Sequence, residues 1–378
     1  MNSSSSTLTD PRVLPGQPGR PGQGAAASAG ASSNGSAQQA SGAAPAVRDS
    51  VSGRRLVRED LPGGLERICC PLCEGDRHEV LFRRRDDRLR TDRRLFPIVR
   101  CLDCDFVFLN PRPNASEIHR YYSSAFYRSE ELPEEALRLH RRKLDAMCRW
   151  LSHLPPGKLL DVGCFKGEFM HEMVKRGWSA KGVEFSSVPE NNYGLDIFYG
   201  DVAALPDVPR YDATTLWAVL EHVADPRRTI EECARLTRRG GRLFILVPNF
   251  NSIPGRFLRH DDVPRHLMMF TRRTLARLLG ECGFAVRRCV CEQDIYMGSV
   301  RGLFNFLVKR LHGEPTDEIL AQYLFVDRWV EFARHINGVP RKLMERVDNF
   351  DIRWYATLDR MLDRSGFGFI MVTEAERL

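Results

Sequence analysis

Long apolar runs are absent from this 378-residue sequence. A helix that crosses a bilayer needs about 20 consecutive apolar residues, so we predict no transmembrane helix. The N-terminus also lacks the basic segment followed by an apolar core that marks a secretory signal. We therefore expect a cytoplasmic protein, in which the 11 cysteines serve as metal ligands or free thiols rather than as a disulfide framework.

The first 50 residues contain no aromatic side chain and few large aliphatic ones. Ser, Ala, Gly and Pro dominate there, and such a segment cannot bury enough apolar surface to offset the entropy lost on ordering. We predict a disordered low-complexity tail over residues 1–55. The formal net charge of +7 permits contact with nucleic acid or anionic lipid but does not require it.

Two short motifs, CPLC and CLDC, each place two cysteines at a spacing typical of zinc ligands. The pairs are Cys70 with Cys73 and Cys101 with Cys104. Four thiolates leave no open position on a tetrahedral metal, so we predict a structural zinc in a zinc-ribbon-like module over residues 61–113. Buried free thiols are the alternative, and Cys69 could replace Cys70 as a ligand.

Between the two cysteine pairs runs the segment RRRDDRLRTDRR, which combines seven arginines with three aspartates. A nucleic-acid-binding protein can show such an arginine-rich stretch. The aspartates interrupt the positive charge, however, and we interpret the segment as a solvated loop of mixed charge. Nucleic acid is therefore not the partner that we expect.

Strand and helix alternate after a connector over residues 114–155 that we predict to be mainly helical. Strands are predicted at KLLDV, AKGVE, DIFYG, YDATTLW, RLFILVP and AVRRCVC, and helices at 167–176, 226–238 and 272–281. The stretch after Glu184 has room for a short helix only. The alternation indicates a parallel sheet covered on both faces. GFGFIMVTE would supply a last strand after a mostly helical insertion over about 293–364.

The stretch LLDVGCFKGEFM combines a buried strand, a glycine-containing turn and the start of a helix. The turn lacks the middle glycine of the G-x-G-x-x-G dinucleotide motif. Asp161, at the end of the strand, would repel a pyrophosphate, whereas S-adenosylmethionine brings a positive sulfonium and a positive ammonium. Gly163 and Gly167 let the backbone approach a ligand closely. The pattern favours S-adenosylmethionine over NAD.

Two further acids follow the next two predicted strands. Glu184 ends AKGVE about twenty residues beyond the glycine turn, where an acidic side chain receives two ribose hydroxyls. Asp201, with Val202 beside it, is placed to accept a hydrogen bond from an adenine amino group. Trp217, at the end of YDATTLW, completes the predicted donor-binding set. Three acids at the carboxyl edge of a parallel sheet indicate a ligand site more readily than three solvated carboxylates do.

These motifs together resemble those of class I S-adenosylmethionine-dependent methyltransferases. The similarity covers the glycine turn, GVEFS, GDVAALP, YDATTLWAVLEHVADP and RRGGRLFILVPN, and it continues in DVPRHLMMFTRRTLARLLGECGF. The front end, CPLC…VRCLDCDFVFLNPRP followed by YYSSAFY, resembles the zinc-ribbon lead-in of a bacterial subgroup. The sequence departs from the usual pattern at Phe165, which replaces the middle glycine, and at Glu74 and Asp105, which follow the cysteine pairs where glycine is usual.

The resemblance implies an α/β, Rossmann-like, seven-stranded methyltransferase sheet with helices on both faces and an antiparallel last strand. This domain would span residues 156–378. Its implied cofactors are S-adenosylmethionine and a structural zinc. Its implied acceptor is a small molecule, a sugar or a lipid-linked glycan. An rRNA methyltransferase that uses the zinc ribbon for recognition is one alternative, and an inactive methyltransferase-like interaction protein is another.

The acceptor is less well defined by the sequence than the donor. After the fourth strand the chain reads LWAVLEHV, where base-modifying enzymes often carry Asn or Asp, two prolines and an aromatic. His222 and His266 lie on loops suited to the chemistry, and we predict that they serve as base or as ligand of the acceptor. The tyrosines of YYSSAFY cover the site or pack the connector. SVRGLFNFLVKRL suits a lid, a core helix or peripheral membrane contact, and the oligomeric state is left open.

Overall fold

The computed structural model describes ten stretches of the chain: residues 59–86, 91–122, 134–186, 191–206, 210–252, 255, 262–292, 295, 303–311 and 341–378. The predicted tail over 1–55 lies outside the described residues. So do Tyr127, the start of the stretch predicted to hold a short helix after Glu184, and much of the insertion predicted over about 293–364.

A seven-stranded sheet forms the centre of the protein, in the order β13-β14-β11-β10-β7-β8-β9. Its strands are β7 (Lys158–Val162), β8 (Ser179–Glu184), β9 (Asp196–Tyr199), β10 (Tyr211–Trp217), β11 (Thr237–Pro248), β13 (Phe284–Cys291) and β14 (Ile370–Arg377). The pairs β7–β8, β8–β9, β7–β10 and β10–β11 are parallel. Strand β14 runs antiparallel to both of its neighbours. The predicted sheet, including its antiparallel last strand, is confirmed.

Six α-helices occur in the part of the chain that the structure describes. They are α1 (Glu134–Trp150), α2 (Glu168–Lys175), α3 (Pro226–Leu236), α4 (Arg272–Glu281), α5 (Leu303–Leu311) and α6 (Arg341–Ser365). Local chemistry sets the starts of α3 and α4: the Asp225 carboxylate accepts the Arg228 N–H, and Thr271 and Thr274 form a capping box. Within the same residues, no helix combines the length and the apolar character needed to span a membrane.

Helices cover both faces of the central sheet, as strand β11 shows. Leu243, Ile245 and Val247 belong to one buried cluster, and the alternate residues Phe244 and Leu246 belong to another. The first cluster includes apolar residues of α3 and α4, and the second includes apolar residues of α1 and α2. Period-two alternation places successive side chains on opposite faces of a strand, so both faces are buried.

Two smaller sheets precede the central sheet. The strands β1 (Glu59–Leu61), β2 (Leu65–Arg67) and β6 (Arg112–Pro113) form one of them. The other contains β3 (His78–Arg84), β4 (Phe96–Cys101), β5 (Val107–Leu109) and β12 (Met268–Met269). Strand β12 comes from the segment just before α4 and pairs antiparallel with β5. The cysteine-bearing segment therefore shares a sheet and a hydrophobic core with the rest of the chain.

The interpretation of RRRDDRLRTDRR as a solvated loop is wrong for the described part of that segment. Asp86 is buried, and one of its oxygens accepts a hydrogen bond at 2.8 Å from Nη2 of the fully buried Arg265. Asp92 bonds Arg94 and also accepts from the Tyr121 hydroxyl. The aspartates alternate with arginines because they form internal ion pairs, and a buried charge is tolerated when it is paired in this way.

The four predicted zinc ligands form one compact cluster. Cys70, Cys73, Cys101 and Cys104 present sulfur atoms that all lie within 4.8 Å of one another. Sγ of Cys70 is 3.5 Å from Sγ of Cys104, and Sγ of Cys73 is 3.5 Å from Sγ of Cys101. Zinc–sulfur bonds of about 2.3 Å place tetrahedral sulfurs about 3.8 Å apart, so the cluster fits zinc. Cys69 lies outside the cluster.

The two cysteine turns have the same local geometry. The Glu74 N–H donates to the Cys70 carbonyl at 2.9 Å, and the Asp105 N–H donates to the Cys101 carbonyl at 3.0 Å. Glu74 and Asp105 have φ angles of 65° and 61°. These are the positions at which glycine is usual, and the left-handed conformation explains that usage because a Cβ there costs about 1–2 kcal/mol. The departures noted in the sequence leave the turn geometry intact.

We expect Cys104→Ser to abolish zinc binding and to destabilise the cysteine-bearing segment. The reason is that the free energy of structural zinc binding is also free energy of folding. Zinc would be measured by metal analysis of protein purified without chelator, and stability by thermal unfolding. Cys69→Ser is the matched control, because Cys69 is also buried and adjoins Cys70 but lies outside the cluster. Wild-type protein without zinc, or equal zinc in both variants, would show that the cluster does not hold the metal.

Candidate functional site

A cavity of about 1310 Å³ opens at the carboxyl edge of the central sheet. Ligands of open α/β sheets bind at this edge, where the strands end in loops. Nearly all of the predicted site residues line this cavity: Asp161, Gly163, Glu184, Asp201, Val202, Trp217, His222 and His266. Gly167 does not line it and instead precedes the first residue of α2. The structure thus brings together residues from the ends of strands β7, β8, β9 and β10 and from the segment before β12.

The glycine turn after β7 adopts left-handed backbone conformations at three positions. Gly163 has a φ of 73°, and a Cβ added to it would lie 2.4 Å from Cγ2 of Val219. Gly167 has a φ of 80°. Phe165, which replaces the middle glycine, has a φ of 52° and so keeps the conformation that glycine adopts most easily. Strained backbone of this kind is common at ligand sites.

Asp161 is buried beneath the glycine turn. Its Oδ1 accepts a hydrogen bond at 2.6 Å from the Thr215 hydroxyl on the neighbouring strand β10. Burial raises the pKa of Asp161 to about 7, and the Thr215 bond opposes part of that rise. The charge of Glu184 raises the pKa of Asp161 further. A cation bound next to Asp161 would favour its ionised form, which burial alone disfavours.

Glu184 is the last residue of strand β8, and its carboxylate connects this strand to the glycine turn by a hydrogen bond. One carboxylate oxygen accepts from the Phe165 N–H at 2.8 Å, and the other accepts from the Ser186 N–H at 3.1 Å. Burial raises the pKa of Glu184, and the two backbone N–H groups oppose the rise. Each carboxylate oxygen has two lone pairs, so each can accept a ligand hydroxyl in addition to its backbone donor. Glu184 is thus fixed in place for a pair of hydroxyls.

The remaining predicted donor-binding residues occupy the ends of β9 and β10. Asp201 is exposed, and its carboxylate accepts from the Ala203 N–H at 2.9 Å, which caps a short 3-10 turn over Val202–Ala204. Val202 is buried in the cavity wall. Trp217 stands edge-on to Phe169 at 5.4 Å between ring centroids. Its buried Nε1–H has no hydrogen-bond partner among the described residues and is therefore a donor available to a ligand.

A second group of polar residues stands in the same cavity. Ligand atoms of Glu221, His222 and His266 all lie within 4.8 Å of one another, and the two imidazole rings are 4.8 Å apart between centroids. Nδ1 of His222 is 3.0 Å from the Arg265 carbonyl and 3.0 Å from the Tyr122 hydroxyl. A carbonyl oxygen can only accept, so Nδ1 carries a hydrogen and donates it to Arg265.

Sequence reasoning placed both histidines here but gave Glu221 no role. Glu221 is 1% exposed, and burial raises its pKa to about 8. The feature of the sequence that could have identified Glu221 is its position in LEHV, immediately before His222 and shortly after the end of a buried parallel strand. Tyr122 was left between covering the site and packing. Its hydroxyl reaches His222, whereas Tyr121 is fully buried and bonds Asp92.

The N-terminal part of the chain contributes one wall of the cavity. Glu66, Arg112, His119 and Tyr122 are among its lining residues. The buried Arg112 guanidinium pairs with Glu66 at 2.8 Å and donates to the Ala224 carbonyl at 2.8 Å. This contact joins strands β2 and β6 to the loop that follows β10. The cavity is therefore built by both the predicted cysteine module and the predicted methyltransferase segment.

Comparison with known proteins agrees with this geometry. Residues 134–288 match a family model described as a methyltransferase domain. Two curated relatives are named ubiquinone biosynthesis O-methyltransferase. That of Alkalilimnicola ehrlichii is 31% identical over 120 residues, covering 29% of this chain and 49% of the relative. That of Coxiella burnetii is 38% identical over 103 residues, covering 25% and 44%. The chain thus spans about half the length of these relatives.

Solved methyltransferase structures also resemble the chain at a distance. The 1,6-didemethyltoxoflavin-N1-methyltransferase of Burkholderia thailandensis, solved with S-adenosylhomocysteine, is 16% identical with a TM-score of 0.41. The match covers 73% of this chain and 97% of that one. Residues 134–288 match the model of a methyltransferase domain, and the chain has an α/β, Rossmann-like methyltransferase fold with a seven-stranded sheet whose last strand is antiparallel.

Proposed function

We propose that the protein transfers a methyl group from S-adenosylmethionine to a hydroxyl of a small-molecule or glycan acceptor. The observation that carries the proposal is the convergence of Asp161, Glu184 and Asp201 on one cavity at the carboxyl edge of the sheet. The name of the curated relatives supports oxygen as the acceptor atom and a small molecule as the acceptor class.

The donor's adenosine would lie along the ends of β8 and β9. Glu184 would accept hydrogen bonds from both ribose hydroxyls, since its two oxygens are already oriented by Phe165 and Ser186. Asp201 would accept from the adenine amino group, and Val202 would pack against the ring. The methionine end would approach Asp161 and the glycine turn, where a negative charge stabilises the sulfonium and the ammonium. The buried Trp217 Nε1–H would donate to the donor's carboxylate.

The acceptor would occupy the part of the cavity that holds Tyr122, His222 and His266. A volume of about 1310 Å³ exceeds the ~300–1,000 Å³ typical of a site for one ligand, so donor and acceptor fit together. In the reaction the acceptor oxygen attacks the methyl carbon in line with the departing sulfur. The carbon–sulfur bond breaks with its electron pair going to sulfur, an oxygen–carbon bond forms, and the acceptor proton leaves. Alignment and the exclusion of water supply much of the acceleration.

The cysteine cluster would hold zinc at a distance from this chemistry. A four-thiolate site has no open coordination position, so its zinc would not bind a substrate. Its role would be to fold the turns that carry β3, β4 and β5. These strands support β12 and, through it, the segment that contains His266. We therefore propose a structural zinc that maintains the acceptor wall.

Glu184→Ala should weaken S-adenosylmethionine binding at least tenfold, measured by calorimetry. Charge-assisted hydrogen bonds contribute roughly 1.5–3 kcal/mol each, and about 1.4 kcal/mol corresponds to a factor of ten. Asp161→Asn should also weaken binding, because it removes the charge facing the methionine end while Oδ1 still accepts from Thr215. Circular dichroism would confirm that both variants remain folded.

His222→Ala and His266→Ala are the matched controls for donor binding. Both residues lie in the same cavity but on its acceptor side, so the two variants should bind S-adenosylmethionine almost as wild type does and should lose turnover. Wild-type affinity in folded Glu184→Ala and Asp161→Asn would overturn the donor site. Binding of NAD in place of S-adenosylmethionine would overturn the proposed function as a whole.

Donor affinity should rise with pH below neutrality. The pKa of Asp161 in the free protein is about 7, so the carboxyl is mostly protonated at lower pH. A bound cation favours the ionised form, so binding releases a proton and tightens as the pH rises towards 7, by at most about tenfold per pH unit. Calorimetry in buffers of different ionisation enthalpy would count the released protons. Asp161→Asn should reduce this count and flatten the pH dependence; an unchanged pH dependence in that variant would contradict the role of Asp161.

A further inference from the structure

The group formed by Glu221, His222 and His266 has the composition of a metal site. Two imidazoles and one carboxylate present ligand atoms that lie within 4.8 Å of one another. Among the described residues, this group and the four cysteines are the two sets of three or more candidate ligands with such spacing. The cysteines form a closed set, whereas three ligands on the wall of a cavity leave coordination positions open.

The carboxylate of Glu221 lacks the partner that its burial demands. Glu221 is 1% exposed, and its Oε2 has no hydrogen-bond partner among the described residues. Leaving a buried polar atom unsatisfied costs about 1–3 kcal/mol, and more when the group is charged. Asp262, the nearest acid on the adjoining segment, is already engaged: its Oδ1 accepts from Nε and Nη2 of Arg265 at 2.9 Å and 2.5 Å. A cation beside Glu221 would give this buried oxygen a partner and would favour the ionised form of the carboxyl group.

The imidazole of His222 is oriented as a metal ligand is. Its Nδ1–H donates to the Arg265 carbonyl at 3.0 Å. Histidines that bind metals almost always donate their other ring N–H to a carbonyl or carboxylate in this manner. The Asp262 N–H contacts Nδ1 of His266 at 3.4 Å, at the weak limit of a hydrogen bond.

Backbone hydrogen bonds keep the three ligands together. The carbonyl of Glu221 accepts from the N–H groups of Leu267 and Met268 at 2.8 Å and 3.1 Å. These bonds clamp the loop that carries Glu221 and His222 to the segment that carries His266. The fully buried Arg265 anchors the same segment through Asp86. The ligands thus come from two rigidly joined segments, as a preformed site requires.

We infer that Glu221, His222 and His266 bind a divalent transition-metal ion that coordinates the acceptor hydroxyl. The inference rests on the proposed function, because the open positions of the ion face the same cavity as the donor residues. Imidazole ligands suit Fe²⁺, Ni²⁺ or Zn²⁺ and the carboxylate also suits Mn²⁺, whereas Mg²⁺ prefers oxygen ligands throughout and retains water. The acceptor class would be molecules with an acidic hydroxyl, such as a phenol or an enol.

Coordination would lower the pKa of the acceptor hydroxyl, whose proton leaves to solvent. The deprotonated acceptor oxygen would attack the methyl carbon, the carbon–sulfur bond would break with its electrons going to sulfur, and the products would be the methyl ether and S-adenosylhomocysteine. The ion held by Glu221, His222 and His266 would supply the positive charge that stabilises this oxygen. In this role the two histidines act on the acceptor through the metal. The Tyr122 hydroxyl lies 3.0 Å from Nδ1 of His222, the same ring nitrogen that contacts the Arg265 carbonyl.

Mn²⁺ is the most selective probe, because it prefers nitrogen and oxygen ligands to the thiolates of the cysteine cluster. Protein with zinc in the cysteine cluster would be titrated with Mn²⁺, and the free ion would be followed by electron paramagnetic resonance. We expect one Mn²⁺ per chain with a dissociation constant below about 100 µM. Glu221→Gln, which keeps the shape of the side chain, and His266→Ala should each weaken Mn²⁺ binding at least tenfold.

His140→Gln provides the matched control. His140 also lines the cavity and lies 3.2 Å from a carboxylate, that of Glu168, but it is not part of the three-ligand group. This variant should bind Mn²⁺ as wild type does. No binding by wild type at about 1 mM, or wild-type affinity in both ligand variants, would overturn the inference. Calorimetry with S-adenosylmethionine on the same protein separates the two claims: donor binding without Mn²⁺ binding refutes the metal alone, and Mn²⁺ binding without donor binding refutes the proposed function.

Discussion

Two backbone hydrogen bonds to the carbonyl of Glu221 hold together the wall of the cavity that carries His222 and His266. They come from Leu267 and Met268, and the next bonds along this segment connect it to strand β5 of the cysteine-bearing sheet. One short stretch of chain is therefore bonded both to the loop after β10 and to the N-terminal sheet. The shape of this part of the cavity depends on both attachments, so we expect loss of the proposed zinc to alter the wall that carries His266.

Buried ion pairs also join the N-terminal sheet to the segment that carries His266. Arg265 is fully buried between Asp86 and Asp262, so an arginine of the methyltransferase segment neutralises an aspartate of the N-terminal segment. Removing one partner of a buried pair typically costs about 3–5 kcal/mol, because the other charge is left without compensation. The Arg112–Glu66 pair, which also bonds the Ala224 carbonyl, makes a second junction of this kind. Such pairs fix the register between two parts of the chain that apolar packing alone would define less strictly.

Much of the fold could be predicted because its signals are local. The strands of the central sheet are short apolar runs separated by turns, and their alternation with helices indicates a parallel sheet covered on both faces. The spacing of the four cysteines in the sequence is enough to predict their cluster. Strand β12 was not predicted, because two residues, Met268 and Met269, carry no periodic pattern and pair only through a long-range contact. The burial of Asp86 was missed for the same reason: its partner Arg265 lies 179 residues away in the sequence.

The candidate site also combines residues that the sequence predicts with one that it does not. Asp161, Glu184 and Asp201 were found because each ends a strand, and strand ends of a parallel sheet meet at one edge. Glu221 was missed because its importance lies in what surrounds it: a buried oxygen without a partner cannot be seen in a sequence. Phe165, Glu74 and Asp105 departed from the glycine pattern, yet all three adopt left-handed conformations. These turns thus adopt the left-handed backbone conformation even though glycine, which favours it, is absent at these positions.

The central claim is that the carboxyl edge of the sheet binds S-adenosylmethionine through its acids. A crystal structure of the protein with S-adenosylhomocysteine tests this claim most directly. The account predicts both ribose hydroxyls within hydrogen-bond distance of the Glu184 carboxylate, the adenine beside Val202 and the homocysteine end above the glycine turn near Asp161. A ligand bound elsewhere, or a ribose that makes no contact with Glu184, would contradict it.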